Sequence, residues 1–289
     1  MSREISAPES ERPTAGRGHR AIWKGTLGFG LVSIPVKLQR AVQKKGVRFH
    51  EIHDADGGRI RHRAVCSHDG AAVPREHIVH GFELERGHHV HIAPAELSAL
   101  SPAASRLIDI DAFVDLAEID PIFYDRTYWV VPGEGGERAY TLLLGTLSAL
   151  RKVAVARMVL RSRQVVCVVR PAGAHGRRSE ALALSVLDYA DEILPVAGLE
   201  GLPGAEVHAQ IGERERLLAE RLVEARSGHF QPERYHDEHR DKILALIHRK
   251  AGGEAPTPEP ARPTAPPQLD LVGALEASLT EAAHRKDAA

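Results

Sequence analysis

Histidine is the residue type that most invites a chemical reading, with 17 in 289 residues. His88, His89 and His91 cluster, and Cys66 lies among His53, His62 and His68. A zinc site asks for about four ligands in tetrahedral array, usually supplied as two short-spaced pairs. Cys66-Ser67-His68 has the wrong spacing for a knuckle and no second C-x-x-C is present, so the histidines are expected to decorate a surface and no metal is assigned. Ser67-His68-Asp69 holds the residue types of a hydrolase triad. Adjacent residues diverge, however, whereas a triad converges in space from separate segments. Gly25-Thr26-Leu27-Gly28-Phe29-Gly30 has the glycine density of a phosphate-cradling loop. A dinucleotide site would need a helix next; the segment after Gly30 is strand-like, and Pro35 disfavours a helix. There is no P-loop and no H-E-x-x-H. Cys167, inside Val165–Val169, reads as a small core residue and not as a nucleophile. No catalytic residue and no cofactor is expected.

The remaining chemistry is electrostatic, and it is hidden by the totals. The formal net charge is -1 and the pI is near 7.0, which taken alone argues against a polyanion partner. The distribution argues for one. No acid occurs between Arg12 and His50, where Arg12, Arg17, Arg20, Lys24, Lys37, Arg40, Lys44, Lys45 and Arg48 fall. None occurs between Ala139 and Ser179, which holds Arg151, Lys152, Arg157, Arg161, Arg163, Arg170, Arg177 and Arg178. The compensating acids sit at Glu83–Glu137 and Glu180–Asp241. Binding of a polyanion depends on the local field and not on the sum.

These residues need elements to hold them. Residues 1–18 are polar and rich in Ser, Pro and Gly, and are expected to be disordered. From 19 to 203 the pattern is mostly of short strands: Gly30–Leu38, Val47–His53, Arg59–Val65, the hairpin Gly81–Glu85 with His88–Ile92, and the pair Val153–Leu160 with Val165–Val169. Pro94–Leu100 reads as a short helix. Tyr140, Leu143, Leu144 and Leu147 form one apolar stripe at helical spacing. Over 204–253 the character turns helical, with Glu213–Arg226 and a second helix opened by Pro232 and closed by Gly252-Gly253. Six prolines between Glu254 and Pro267 make a linker, and 268–289 is a terminal amphipathic segment. No internal repeat is evident.

The N-terminus lacks the apolar core of a secretory signal, and no run of 18 apolar residues exists. Cys66 and Cys167 cannot make a disulfide framework for a chain of this size. A soluble protein of the reducing cytoplasm, without a membrane partner, is expected.

Specific residues then carry a resemblance. Arg20-Ala21-Ile22-Trp23-Lys24-Gly25 and Phe29-Gly30-Leu31-Val32-Ser33-Ile34-Pro35-Val36-Lys37-Leu38 resemble the opening of bacterial Ku proteins. Further pieces come in register: Arg48-Phe49-His50, Gly58-Arg59-Ile60-Arg61, Glu118-Ile119-Asp120-Pro121, Leu160-Arg161-Ser162-Arg163, Tyr189-Ala190-Asp191-Glu192-Ile193 and Phe230-Gln231-Pro232-Glu233-Arg234-Tyr235. The ordered series, from about Arg20 to about Lys250, is more specific than any piece. The resemblance implies a mixed α+β fold: a β-barrel Ku core with a helical C-terminal arm, two copies interlocking as a ring-forming homodimer on duplex DNA. It implies non-enzymatic, sequence-independent binding of double-stranded DNA ends at the nucleoid. It also implies recruitment and stimulation of an ATP-dependent DNA ligase, ligase D, in non-homologous end joining. Two departures stand out. Where many members complete a C-x-x-C, this chain has Asp69, so the metal role of that pair is dropped. It ends in His284-Arg285-Lys286-Asp287-Ala288-Ala289 and not in the long lysine-rich tail of some members.

Phosphate contacts from strands suit such a ring, because alternate residues share a face at fixed spacing. Arg59, Arg61 and Arg63 share parity on one expected strand. Arg157, Arg161 and Arg163 do so on another stretch, provided a tight turn preserves register. Lys37 and Arg40 end the Gly30–Leu38 strand. These eight are the expected DNA contacts. Some are equally open to pairing with Asp109, Asp111 or Asp115 across a sheet. Leu271, Leu275 and Leu279 are expected to dock the ligase, with a helix that folds back on the body as the alternative. Three other readings compete: a general DNA-coating protein of nucleoid type, a scaffold for an acidic protein, and an enzyme whose site is assembled from distant residues.

Overall fold

The computed structural model describes residues 20–100, 105–173, 180–252 and 271–287. The expected N-terminal extension (1–18), Arg177, Arg178 and the expected linker (254–267) lie outside them. By its contacts the chain divides into two compact units, Met1–Ile193 and Leu194–Ala289.

The first unit is built on strands whose apolar residues alternate. In β2 (Val32–Arg40), Ile34, Val36 and Leu38 are buried, while Ser33 and Pro35 are exposed and Lys37 and Gln39 half-buried. β2 runs antiparallel to β1 (Ala21–Phe29) through the turn Gly30-Leu31, with Gly30 at φ 57°. The glycine-dense stretch is therefore a strand and its turn. Gly25 is required by close approach: a Cβ there would fall 2.1 Å from the Arg106 carbonyl oxygen. Two further strands, β3 (His80–Glu85) and β4 (His88–Ile92), form a separate hairpin. β5 (Leu107–Asp115), β6 (Tyr124–Pro132), β7 (Lys152–Leu160), β8 (Arg163–Ala172) and β9 (Ala181–Leu187) complete a closed barrel of order β1-β2-β6-β9-β8-β7-β5, sealed by parallel pairing of β5 with β1. Closure removes the exposed sheet edges that would otherwise template association.

Side chains fill the interior, among them Leu27, Ile34, Leu38, Ile108, Val130 and Leu184. α2 (Glu137–Leu150) adds Tyr140, Leu143 and Leu147 to this core, with Leu144 packed beside them, as the apolar stripe predicts. The Tyr140 hydroxyl donates to the Val130 carbonyl at 2.8 Å and accepts from the Leu182 amide at 2.7 Å, fastening α2 to β6 and β9. Burial pushes that phenol's pKa up. Cys167 is fully buried in the same core, and desolvation raises its thiol to about 12, consistent with a packing role.

Between β2 and β5 the chain makes a long excursion. Over residues 41–100 no residue is buried. This stretch contains the hairpin of β3 (His80–Glu85) and β4 (His88–Ile92) and the helix α1 (Pro94–Leu100), as expected. The strands expected at Val47–His53 and Arg59–Val65 do not form. Only single bridges occur there, Ile52 with Arg59 and Val65 with Ala72. Each closes a turn of one shape: Gly57 N–H to the His53 carbonyl with Gly58 N–H to the Asp56 carboxylate, and Gly70 N–H to the Cys66 carbonyl with Ala71 N–H to Asp69. The excursion thus holds a short structural repeat, contrary to the expectation of none.

The second unit holds α3 (Ala205–Gln210), α4 (Glu213–Arg226), α5 (Glu238–Ala251) and α6 (Leu271–Asp287). α4 has the expected bounds. Pro232 opens only a one-turn 3-10 helix, and α5 starts later because the Asp237 carboxylate caps it by accepting from the Arg240 amide. α6 packs along α4, joined by an Arg214–Glu276 ion pair at 2.7 Å. Among the described residues of this unit only Ala282 is buried.

Candidate nucleic-acid interface

Residues paired across a sheet share a face, so the register decides which cations stand together. Lys24 of β1 lies directly opposite Lys37 of β2 on the outer face of the barrel. Like charges placed so are destabilising by a few tenths of a kcal/mol to about 1 kcal/mol. Among the described residues neither lysine has an ion-pair partner. The next row across the barrel is continuous through four strands: Gln39 of β2, Trp129 of β6, Ala183 of β9 and Arg170 of β8. Trp129 and Arg170 are half-buried there. Arg40 ends β2, exposed, opposite Tyr128 of the interior cluster, so it stands at the barrel's end and not in this outer row. This outer face thus presents unneutralised cations around an indole, a surface suited to a phosphate backbone.

On the neighbouring part of the barrel one expected contact is already engaged. A β-bulge between Ile110 and Ala112 turns Asp111 toward β7. Arg157 grips it bidentately, Nε to Oδ2 at 2.8 Å and Nη2 to Oδ1 at 2.7 Å. The hydrogen bond from Arg157 holds the Asp111 carboxyl below its ordinary pKa, and the same bond raises that of Arg157. Lys152 pairs with Asp115 at 3.0 Å in the same manner. The alternative of pairing across the sheet is realised for Arg157.

The shared face expected of Arg157, Arg161 and Arg163 is corrected by the turn between β7 and β8. It has two residues, Arg161 and Ser162, both left-handed at φ 52° and 65°. A two-residue turn pairs odd-numbered with even-numbered residues, so parity switches across it. Arg157 stands opposite Val166 on the outer face, whereas Arg163 stands opposite Leu160, which packs against the interior cluster. Arg161 belongs to neither strand and occupies the turn itself. Such turns favour Asn-Gly; Arg and Ser each adopt the left-handed conformation at a cost of roughly 1–2 kcal/mol.

Arg59, Arg61 and Arg63 lie in the excursion and are all exposed. With no ladder beyond the bridge at Arg59, nothing fixes them as a pleated row, and strand parity does not apply to them. Leu271 is exposed, while Leu275 and Leu279 are half-buried on the helix that packs along α4 of the same helical unit. Lys24, Trp129 and Arg170 are the residues of this candidate surface that sequence reasoning missed. Lys24 and Arg170 belong to the two acid-free stretches, but only strand register shows that each points out of the barrel, from strands β1 and β8 that lie across it from one another.

No group of three or more metal-ligating side chains is found among the described residues. His53 turns to Asp56 at 3.0 Å and His62 to Glu51 at 2.8 Å. No described helix is long and apolar enough to cross a membrane.

Comparison with known proteins agrees with this architecture. A family model described as the Ku70/Ku80 beta-barrel domain matches residues 28–213. The chain is 47% identical over 268 residues to the non-homologous end joining protein Ku of Anaeromyxobacter sp. (strain K), covering 93% of this chain and 88% of that protein. It is 36% identical over 262 residues to the protein of the same name in Heliobacterium modesticaldum, covering 91% and 92%. For that of Bacillus subtilis the identity is 32% over 262 residues, covering 89% and 81%. The SPOC domain of human PHD-finger protein 3 has a TM-score of only 0.31 at 14% identity, over 58% of this chain and 95% of that one. With the family model matching residues 28–213 and the relatives matched over nearly the whole length, the chain belongs to the Ku family.

Proposed function

We propose that this protein binds the ends of double-stranded DNA without sequence preference, as a homodimeric ring, in non-homologous end joining. The observation that carries the reading is the excursion between β2 and β5. Residues 41–100 bury nothing, yet expose Phe49, Ile60, Phe82 and Leu84 in the same stretch as the cations Arg59, Arg61 and Arg63. An isolated two-stranded hairpin is marginal in water, and exposed apolar patches of this kind mark interaction surfaces. A second copy would cover them, and the helical unit, with its exposed stacked pair Phe230 and Tyr235, has the same need. The relatives are named for end joining, and the unpaired cations of the barrel suit a phosphate backbone. Lys37, Arg40, Arg59, Arg61, Arg63, Arg161 and Arg163, with Lys24 and Arg170, are the proposed contacts. Arg157 belongs to the set only if DNA displaces Asp111.

The protein performs no chemistry in this reading. It works in the cytoplasm at the nucleoid and delivers the end to an ATP-dependent DNA ligase D. Leu271, Leu275 and Leu279 are the proposed docking residues, and Leu275 and Leu279 would have to loosen from α4 to reach the ligase. Sedimentation at micromolar concentration is expected to give a dimer, and a stable monomer would refute the ring. Truncation after Gly253 is expected to keep dimerisation and end binding while abolishing ligase stimulation. Full stimulation by the truncated chain would place the ligase contact on the barrel or the remaining arm.

A further inference from the structure

A cleft of about 490 Å³ opens at the rim of the barrel, within the size range of small-ligand sites. Its walls come from three separate places: the start of β1, the residues leading into β5, and the β7–β8 turn. Lys24, Arg106 and Arg161 supply its charge, Ser105 and Ser162 its hydroxyls, and Trp23 a half-buried wall. No acid lines it. The nearby carboxylate of Asp109 lines the adjoining groove with Arg157. Among the described residues Lys24, Arg106 and Arg161 have no ion-pair partner. Arg161 holds its place from a left-handed backbone at φ 52°, in a turn position where glycine or asparagine would sit without strain. Strain of this kind concentrates at ligand sites.

Three uncompensated, exposed cations lining one cleft suit a multiply charged anion. A phosphodiester carries one negative charge, whereas a phosphomonoester carries about 1.5 to 2 near neutral pH and offers three acceptor oxygens. We propose that this cleft holds the terminal phosphomonoester of a DNA strand, so that a phosphorylated end is distinguished from a hydroxyl end. This preference among ends rests on the end-binding reading and adds to it.

The test uses the full chain and hairpin duplexes with one open end, bearing a 5′-phosphate, a 3′-phosphate or hydroxyls only. Competition by fluorescence anisotropy is expected to show one phosphorylated end preferred about tenfold, the scale of one added charge-assisted hydrogen bond. The variant for comparison is Arg106→Gln, whose side chain is exposed and whose structural contact, the carbonyl accepting from the Thr26 amide at 2.7 Å, is main-chain. R106Q is expected to abolish the preference while binding hydroxyl-ended duplex as before. Equal binding of all three ends by the unaltered chain overturns the cleft and leaves end binding standing. So does a preference that survives in R106Q. Should no duplex bind, end binding itself fails. Titration with deoxyadenosine 5′-monophosphate against deoxyadenosine then decides the cleft alone: saturable binding of the nucleotide only, lost in R106Q, supports it, and equal or absent binding of both overturns it.

Discussion

Substituting Lys24→Glu is expected to make the protein more stable and a poorer DNA binder at once. Lys24 and Lys37 face each other directly across β1 and β2. The introduced carboxylate would remove a like-charge pair and create an opposite-charge pair, each change contributing about 0.2–1 kcal/mol. Together about 0.4–2 kcal/mol, the gain corresponds for a unit of this size to a rise in Tm of about 1–8 °C. DNA binding moves the other way. The lysine no longer reaches a phosphate, and Lys37 is drawn toward the new carboxylate. Removing one phosphate contact lowers the slope of log K against log salt by about 0.9, so a dimer deprived of one or two per protomer should show a slope shallower by about 2–4. Differential scanning fluorimetry reads the first effect, and anisotropy titrations between 50 and 300 mM salt (about the range in which counterion release is resolved) read the second. The double reversal K24E/K37E restores a like-charge pair, so it should lose the gain in Tm while binding DNA most weakly of all. A Tm that fell together with affinity in K24E would refute the reasoning, since the weak binding would then be damage to the barrel. Unchanged affinity would remove this face from the interface.

The fold leads to two further outcomes. Tyr140→Phe leaves a buried carbonyl at Val130 and a buried amide at Leu182 without their hydroxyl partner, and should cost about 2–4 kcal/mol in urea unfolding with little change in DNA affinity. Asp111→Asn should lower stability at neutral pH, and the gap to the unaltered protein should close in acid. The Asp111 carboxyl is held below its ordinary value of 3.8 by the bond from Arg157, so its contribution is complete above about pH 4–5 and disappears as pH falls through the lowered folded pKa. A gap that stayed constant from about pH 7 to about pH 2 would show that charge plays no part in it.

Local pattern carries the barrel in part. The alternation of Ile34, Val36 and Leu38, the β7–β8 pair and the stripe on α2 are each contained in a few consecutive residues, and each forms. β5, β6 and β9 have no such local mark, and what joins them is pairing between segments far apart: β5 lies beside both β1 and β7, and β6 beside β2 and β9. The candidate site is hard to read for the same reason. Parity within Arg157–Arg163 holds along one strand, but a two-residue turn reverses it. The Arg59–Arg63 row assumes a ladder partner that the excursion does not supply within one chain. The Lys24–Lys37 pair and the Gln39-Trp129-Ala183-Arg170 row depend on register across strands, which no run of sequence displays.

End specificity separates a Ku-type clamp from a general DNA-coating protein, and competition between topologies measures it most directly. A labelled linear duplex bound by the protein is challenged with unlabelled DNA of the same sequence, either linear or covalently closed and relaxed. Linear DNA is expected to displace the label, and closed DNA, at equal mass and physiological salt, to do so barely at all. Equal displacement by both would contradict threading from an end and leave a non-specific coat as the function of the basic face.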